Sequence, residues 1–158
     1  ALEGVFTPGH TANHMAFALE GSNMLFSGDH VMGWSTTVVA PPDGSMADYL
    51  RSLEILAERP ETIYLPGHGA PIAEAPVFVR ALKAHRKLRE AAIVARIERG
   101  DRSIAEIVAV IYRETPAVLH GAAALSVLAH IEDLVARGRV AVLSGEGLHA
   151  EYGPVSAG

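Results

Sequence analysis

Thr7-Pro8-Gly9-His10-Thr11-Ala12-Asn13-His14, the stretch TPGHTANH at residues 7–14, decides how the rest of the chain is read. A Pro-Gly turn closes a short apolar run and delivers a histidine, and a second histidine stands four residues further on. Two other stretches repeat the design: Leu25-Phe26-Ser27-Gly28-Asp29 and Tyr64-Leu65-Pro66-Gly67-His68. Strand ends beside glycine turns let a rigid sheet aim imidazoles and carboxylates at one point, and the glycines leave room for an ion. Taken singly, a His or Asp after Gly is a common turn residue. Three in the same local setting point to one shared site, with His10, Asp29 and His68 as candidate metal ligands.

The 158 residues contain no cysteine and eight histidines. Disulfides, thiolate metal sites and thiol nucleophiles are thereby excluded, and any metal must be held by His, Asp or Glu. Two histidines and an aspartate suit zinc or a similar ion at a hydrolytic site. At helical spacing His10 and His14 would form a two-histidine zinc pair, but Pro8-Gly9 and the β-like residues after it argue against a helix. His14 is therefore either a neighbour of the ligands or substrate, or a buried, hydrogen-bonded histidine. His30 points away from Asp29 if that segment is extended, and His85, His120, His130 and His149 read as structural.

The first eighty residues alternate short extended stretches with turns: Gly4–Phe6, His14–Leu19, Asn23–Ser27 and Thr62–Leu65. Between the third and fourth, Ser45 opens a helix in which Met46, Tyr49, Leu50, Leu53 and Leu56 recur at helical spacing until Pro60. From Pro76 the period becomes helical. Helices are expected over Val77–Arg99, from the Ser103/Glu106 capping box to Thr115-Pro116, and over His120–Arg137, followed by a hairpin with strands at Val140–Leu143 and Leu148–Tyr152. Three helices and a hairpin is the pattern of a winged helix. The expected division is thus 1–76, a sheet-and-helix domain, and 77–158, a winged-helix-like domain.

No run approaches the roughly 18 apolar residues of a membrane span and the N-terminus lacks a signal-peptide pattern, so a cytoplasmic protein with no membrane partner is expected. Net charge is −5 but uneven: residues 1–79 hold nine acids and two bases, and residues 80–139 seven acids and eleven bases. Such a basic block can meet phosphates or simply solvate the outer face of a helix. As a nucleic-acid reader the last helix is poor, since His120–Arg137 carries Glu132, Asp133 and one arginine, and the hairpin only acids. The bases gather instead on the Val77–Arg99 helix, at Arg80, Lys83, Arg86, Lys87, Arg89, Arg96 and Arg99, where they could border a site.

With these motifs in place, TPGHTANH, SGDH and IYLPGHGAPI, in that order, resemble the second half of a metallo-β-lactamase-fold hydrolase. The stretch HRKLREAAIVARIERGDRSIAEIVAVIYRETPAVLH is similar to the winged-helix tail of the β-lactamase-like protein 2 branch. The resemblance implies an α+β chain, the C-terminal half of an αββα sandwich followed by a winged-helix-like domain. It implies that His10 matches a histidine of the first metal position, Asp29 the carboxylate bridging two zinc ions, and His68 the histidine of the second. His14, Thr36 and Thr37 match the branch pattern in the surroundings or the substrate site, and no catalytic group is assigned.

The resemblance further implies hydrolysis of an ester, thioester or phosphodiester, single-stranded RNA being a substrate of some branch members. The leading His-x-His-x-Asp-His motif of the family is absent from these 158 residues. With one histidine and a share of Asp29 per ion, the isolated chain is expected to bind little zinc and to be inactive. An uncovered sheet face would favour a homo-oligomer. A nucleic-acid-binding or oligomerisation module is the alternative function.

Overall fold

The computed structural model describes residues 1–155, and two compact units divide between Arg86 and Lys87. The division lies inside one long helix, whereas the sequence period changes at that helix's start. The first unit is built on a five-stranded sheet: β1 (Leu2–Phe6), β2 (Met15–Leu19), β3 (Met24–Gly28), β4 (Ile63–Pro66) and β5 (Ile72–Ala73), in that spatial order. β1, β2 and β3 form an antiparallel meander, and β4 returns parallel to β3 after helix α1 (Met46–Ala57). The four long strands stand within a residue or two of the sequence expectation. The two-residue β5 carries too short a pattern to be read in advance.

Strand alternation gives the sheet two unlike faces. Val5, Ala16, Ala18, Leu25 and Tyr64 point to the buried face, and Met46, Tyr49, Leu50, Leu53 and Leu56 form the buried stripe of α1. The Tyr64 hydroxyl donates to the Leu56 carbonyl at 2.6 Å, and Ser52 Oγ donates to the Pro8 carbonyl at 2.7 Å, so helix and sheet are fastened as well as packed. Each fully buried leucine contributes roughly 1.5–3 kcal/mol of hydrophobic stabilisation. Ser45 caps α1 as expected, accepting from the Asp48 N–H. On the other face Phe6, Phe17 and Phe26 are 57%, 41% and 42% exposed, and Phe17 stands directly opposite Phe26. These exposed aromatic side chains agree with the expectation of an uncovered sheet face.

The second unit contains the end of α2 (Ala75–Glu98), α3 (Ile104–Ile111), α4 (His120–Ala136) and the hairpin β6 (Val140–Ser144) and β7 (Glu151–Pro154). Ile93, Ile97, Ile104, Ile107, Val127, Ile131, Leu134, Val140 and Tyr152 form its core. The Ser103/Glu106 capping box starts α3 as read from sequence. α3 ends at Ile111, short of Thr115-Pro116, and the turn beyond it is held by the His120 ring, whose Nε2 lies 3.2 and 3.0 Å from the Tyr112 and Thr115 carbonyls. The second hairpin strand begins at Glu151 rather than Leu148, since Gly147–His149 winds into a single 3-10 turn.

Residues Ala117–Ala136 are long and apolar enough to cross a bilayer by length and composition, which corrects the view that no segment approaches that length. Their apolar side chains Val127, Ile131 and Leu134 are here core residues of the unit.

Candidate metal centre

Each candidate ligand leaves the same end of the sheet. His10 follows β1 through Gly9, whose φ of +138° suits glycine and whose absent Cβ would collide with the Tyr49 backbone at the start of α1. The His10 Nδ1 lies 2.7 Å from the Val38 carbonyl. A carbonyl only accepts, so Nδ1 carries a proton, and in the neutral ring Nε2 then holds the lone pair. Asp29 follows β3 and His68 follows β4, and because those strands pair in parallel both residues emerge together. The Gly67 N–H donates to the Gly28 carbonyl at 2.8 Å, and the Gly33 N–H to the His68 carbonyl at 3.0 Å, fixing both turns.

The three side chains converge on one carboxylate. His10 Nε2 is 4.0 Å from Asp29 Oδ2 and His68 Nε2 is 3.6 Å from Asp29 Oδ1. Each imidazole thus faces a different oxygen, both at separations longer than a hydrogen bond.

His14 stands beside them, its Nδ1 2.8 Å from Thr7 Oγ1 and its ring 6.3 Å from that of His10. Burial, with His10 close by, holds its pKa below the ordinary imidazole value. The His30 ring is fully buried between His14 and Tyr49, with centroids 5.4 and 4.4 Å away, and burial pushes its pKa down to about 3. It is neutral, and neither ring nitrogen makes a hydrogen bond of normal geometry. The predicted threonine pair splits: Thr36 is exposed, while Thr37 is buried and its hydroxyl donates to the Asp29 and His30 carbonyls at 2.7 and 3.1 Å.

Residues 1–68, which hold all three convergent side chains, match the metallo-β-lactamase superfamily, and residues 103–147 match the β-lactamase associated winged helix domain. The chain carries metallo-β-lactamase superfamily sequence followed by its associated winged helix. It is 36% identical over 159 residues to the β-lactamase-like protein 2 homolog of Drosophila melanogaster, covering 97% of this chain and 52% of that protein. Among solved structures, a β-lactamase domain protein from Burkholderia ambifaria superposes with a TM-score of 0.85 at 27% identity, over 97% of this chain and 48% of that one. A metallo-β-lactamase family protein from Thermus thermophilus gives 0.81 at 28% identity, over 97% and 49%. The chain therefore spans about half the length of these relatives.

Proteins of the metallo-β-lactamase superfamily generally bind metal ions, and the side chains here fit part of such a centre. Two bonds of about 2.1 Å meeting at a tetrahedral angle separate their donor atoms by about 3.4 Å. The His68 separation of 3.6 Å lies near that value, and the His10 separation of 4.0 Å is longer. His10, Asp29 and His68 are the side chains of this chain that would hold a metal there, and a catalytic zinc takes about three protein ligands. Among the described residues no group of three or more His, Asp or Glu could hold a metal by itself.

Three contributors escape sequence reading. Val38 acts through its backbone carbonyl, which leaves no trace in residue type. Tyr49 donates its hydroxyl to the His30 carbonyl at 3.0 Å although its spacing marks it as a core residue of α1. Arg86 is one of seven basic residues on the Val77–Arg99 helix that the sequence lets border a site, and nothing in residue type marks it as the buried one, at 4% exposed.

Proposed function

We propose that this chain is part of a metal-dependent hydrolase in which His10, Asp29 and His68 contribute to a two-zinc centre acting on an ester, thioester or phosphodiester. The reading is carried by the Asp29 carboxylate, whose two oxygens face two different imidazoles at 4.0 and 3.6 Å. When bound, such a pair of ions lowers the pKa of a water and polarises the electrophile. The residues of this chain orient that chemistry: the Val38 carbonyl fixes the His10 tautomer, Thr37 steadies the turn after Asp29, and Gly33 holds the His68 backbone. With two donors per ion, the isolated chain binds zinc weakly and does not turn over substrate.

The winged helix serves packing or self-association in this reading. Exposed Glu132, Glu146 and Glu151 on α4 and the hairpin oppose a phosphate-binding role.

The test is complementation. The 158-residue chain is joined to a segment bearing His-x-His-x-Asp-His, and zinc content and hydrolysis of ester and phosphodiester substrates are measured. The expected result is two zinc ions per joined molecule and hydrolysis that is lost in Asp29→Asn. Hydrolysis that survives Asp29→Asn sinks the proposal.

A further inference from the structure

Arg86 is a buried guanidinium on α2 that forms no ion pair among the described residues. Its Nη2 donates to the Thr37 carbonyl, its guanidinium carbon lies 5.1 Å from the centre of the Tyr49 ring, and its Nε makes no hydrogen bond. Burying a charge with so few partners is costly, so hydrophobic packing alone is a poor reason for an arginine at this place. A guanidinium can, however, donate to a carbonyl and lie against an aromatic ring at once, which a lysine does less well.

What it grips connects two of the proposed ligands. The Thr37 hydroxyl donates to the carbonyls of Asp29 and His30, so Thr37 holds the turn that presents the Asp29 carboxylate. The next residue, Val38, supplies the carbonyl that takes the His10 Nδ1 proton. Tyr49, against which Arg86 rests, donates its hydroxyl to the same His30 carbonyl. One dipeptide, Thr37-Val38, therefore touches the supports of both His10 and Asp29, and Arg86 anchors it from behind.

We infer that Arg86 is a positioning residue that, by anchoring Thr37-Val38, sets the tautomer and direction of His10 and the turn carrying Asp29. The inference rests on the reading of His10 and Asp29 as metal ligands, and hydrogen bonds to the far side of a ligand are a known means of tuning a metal centre. Arg86 touches no reacting atom in this account.

The test uses the 158-residue chain with 15N-labelled histidine and no metal, at about pH 8, above the ordinary imidazole range. Long-range proton–nitrogen correlation spectra read the tautomer of each ring, and the His10 signals are assigned by their loss in His10→Gln. The expected pattern for His10 is a single tautomer with the proton on Nδ1. Arg86→Met is expected to lose that single tautomer, Arg86→Lys to recover it in part, and Leu82→Ala, a core change on the same helix, to lower the melting temperature and leave it intact. A folded Arg86→Met that keeps the single Nδ1–H tautomer overturns the inference, as does a mixed tautomer in the unaltered chain. If Arg86→Met does not fold, Arg86→Lys and Arg86→Gln decide the matter by the same signal. Adding zinc separates the two readings: a His10 tautomer that depends on Arg86 while zinc leaves His10 unmoved retains the positioning role and removes the metal role.

Discussion

A Cβ at residue 67 would stand 2.5 Å from Oδ1 of Asp29, so Asp29 keeps this carboxylate position only while residue 67 has no side chain. Gly67→Ala is expected to fold at little cost, because the partly exposed Asp29 carboxylate can turn away from the added methyl. In the joined molecule it displaces the carboxylate and weakens zinc binding by about 10–100-fold, the range for disturbed ligand supports. Chemical unfolding and zinc titration of the same preparation measure both. Unchanged zinc affinity would place the carboxylate away from the metal.

Arg59 joins Glu61 through two hydrogen bonds of 2.8 Å and reaches Glu3 on β1 through two of 3.1 Å. The Arg59 guanidinium holds both carboxyls below the usual glutamate value. A depressed carboxyl pKa stabilises the fold at pH above the unfolded value, and that stabilisation is lost as pH falls through the folded one. Arg59→Met is thus expected to cost about 1–3 kcal/mol at pH 7, chiefly from the buried Glu61, and much less near pH 3. Urea unfolding at the two pH values measures it, and an equal loss at both would remove the electrostatic explanation.

The aromatic surface of Phe6, Phe17 and Phe26 should draw copies of the chain together. Light scattering is expected to show self-association that rises with concentration and declines in Phe17→Ser/Phe26→Ser. A monomer at all concentrations, with the sheet protected from exchange, would count against it.

With acids on α4 and the hairpin, the winged helix should hold duplex DNA weakly and without sequence preference. Titration of labelled duplex at low and moderate salt is expected to give binding that disappears with salt. Tight, salt-resistant binding would favour a nucleic-acid-reading role.

Much of this was legible because its causes are local. Pro-Gly turns, the Ser45 and Ser103 caps, and helical spacing from Met46 to Leu56 act within a few residues, so strand ends and helix starts could be placed from sequence. The pairing of His10, Asp29 and His68 was legible because one motif recurs three times. The supports were not. Val38 acts through a backbone carbonyl, Thr37 through a fold that returns eight residues to the Asp29 carbonyl, and Arg86 across forty-nine residues to Thr37. Arg86 stands among Lys83, Lys87 and Arg89, and only the packed structure distinguishes the one that turns inward. The end of α3 was missed for a like reason, since the turn that follows it is held by His120 from five to eight residues away.

The central claim is that Asp29 ties His10 and His68 into one centre. Zinc titration of the 15N-histidine-labelled chain, followed by imidazole nitrogen spectra and calorimetry, tests it most directly. Weak binding is expected that shifts the Nε2 signals of His10 and His68 together, with both responses lost in Asp29→Asn. Two tightly bound zinc ions per chain, or shifts of His10 and His68 that persist in Asp29→Asn, would contradict it.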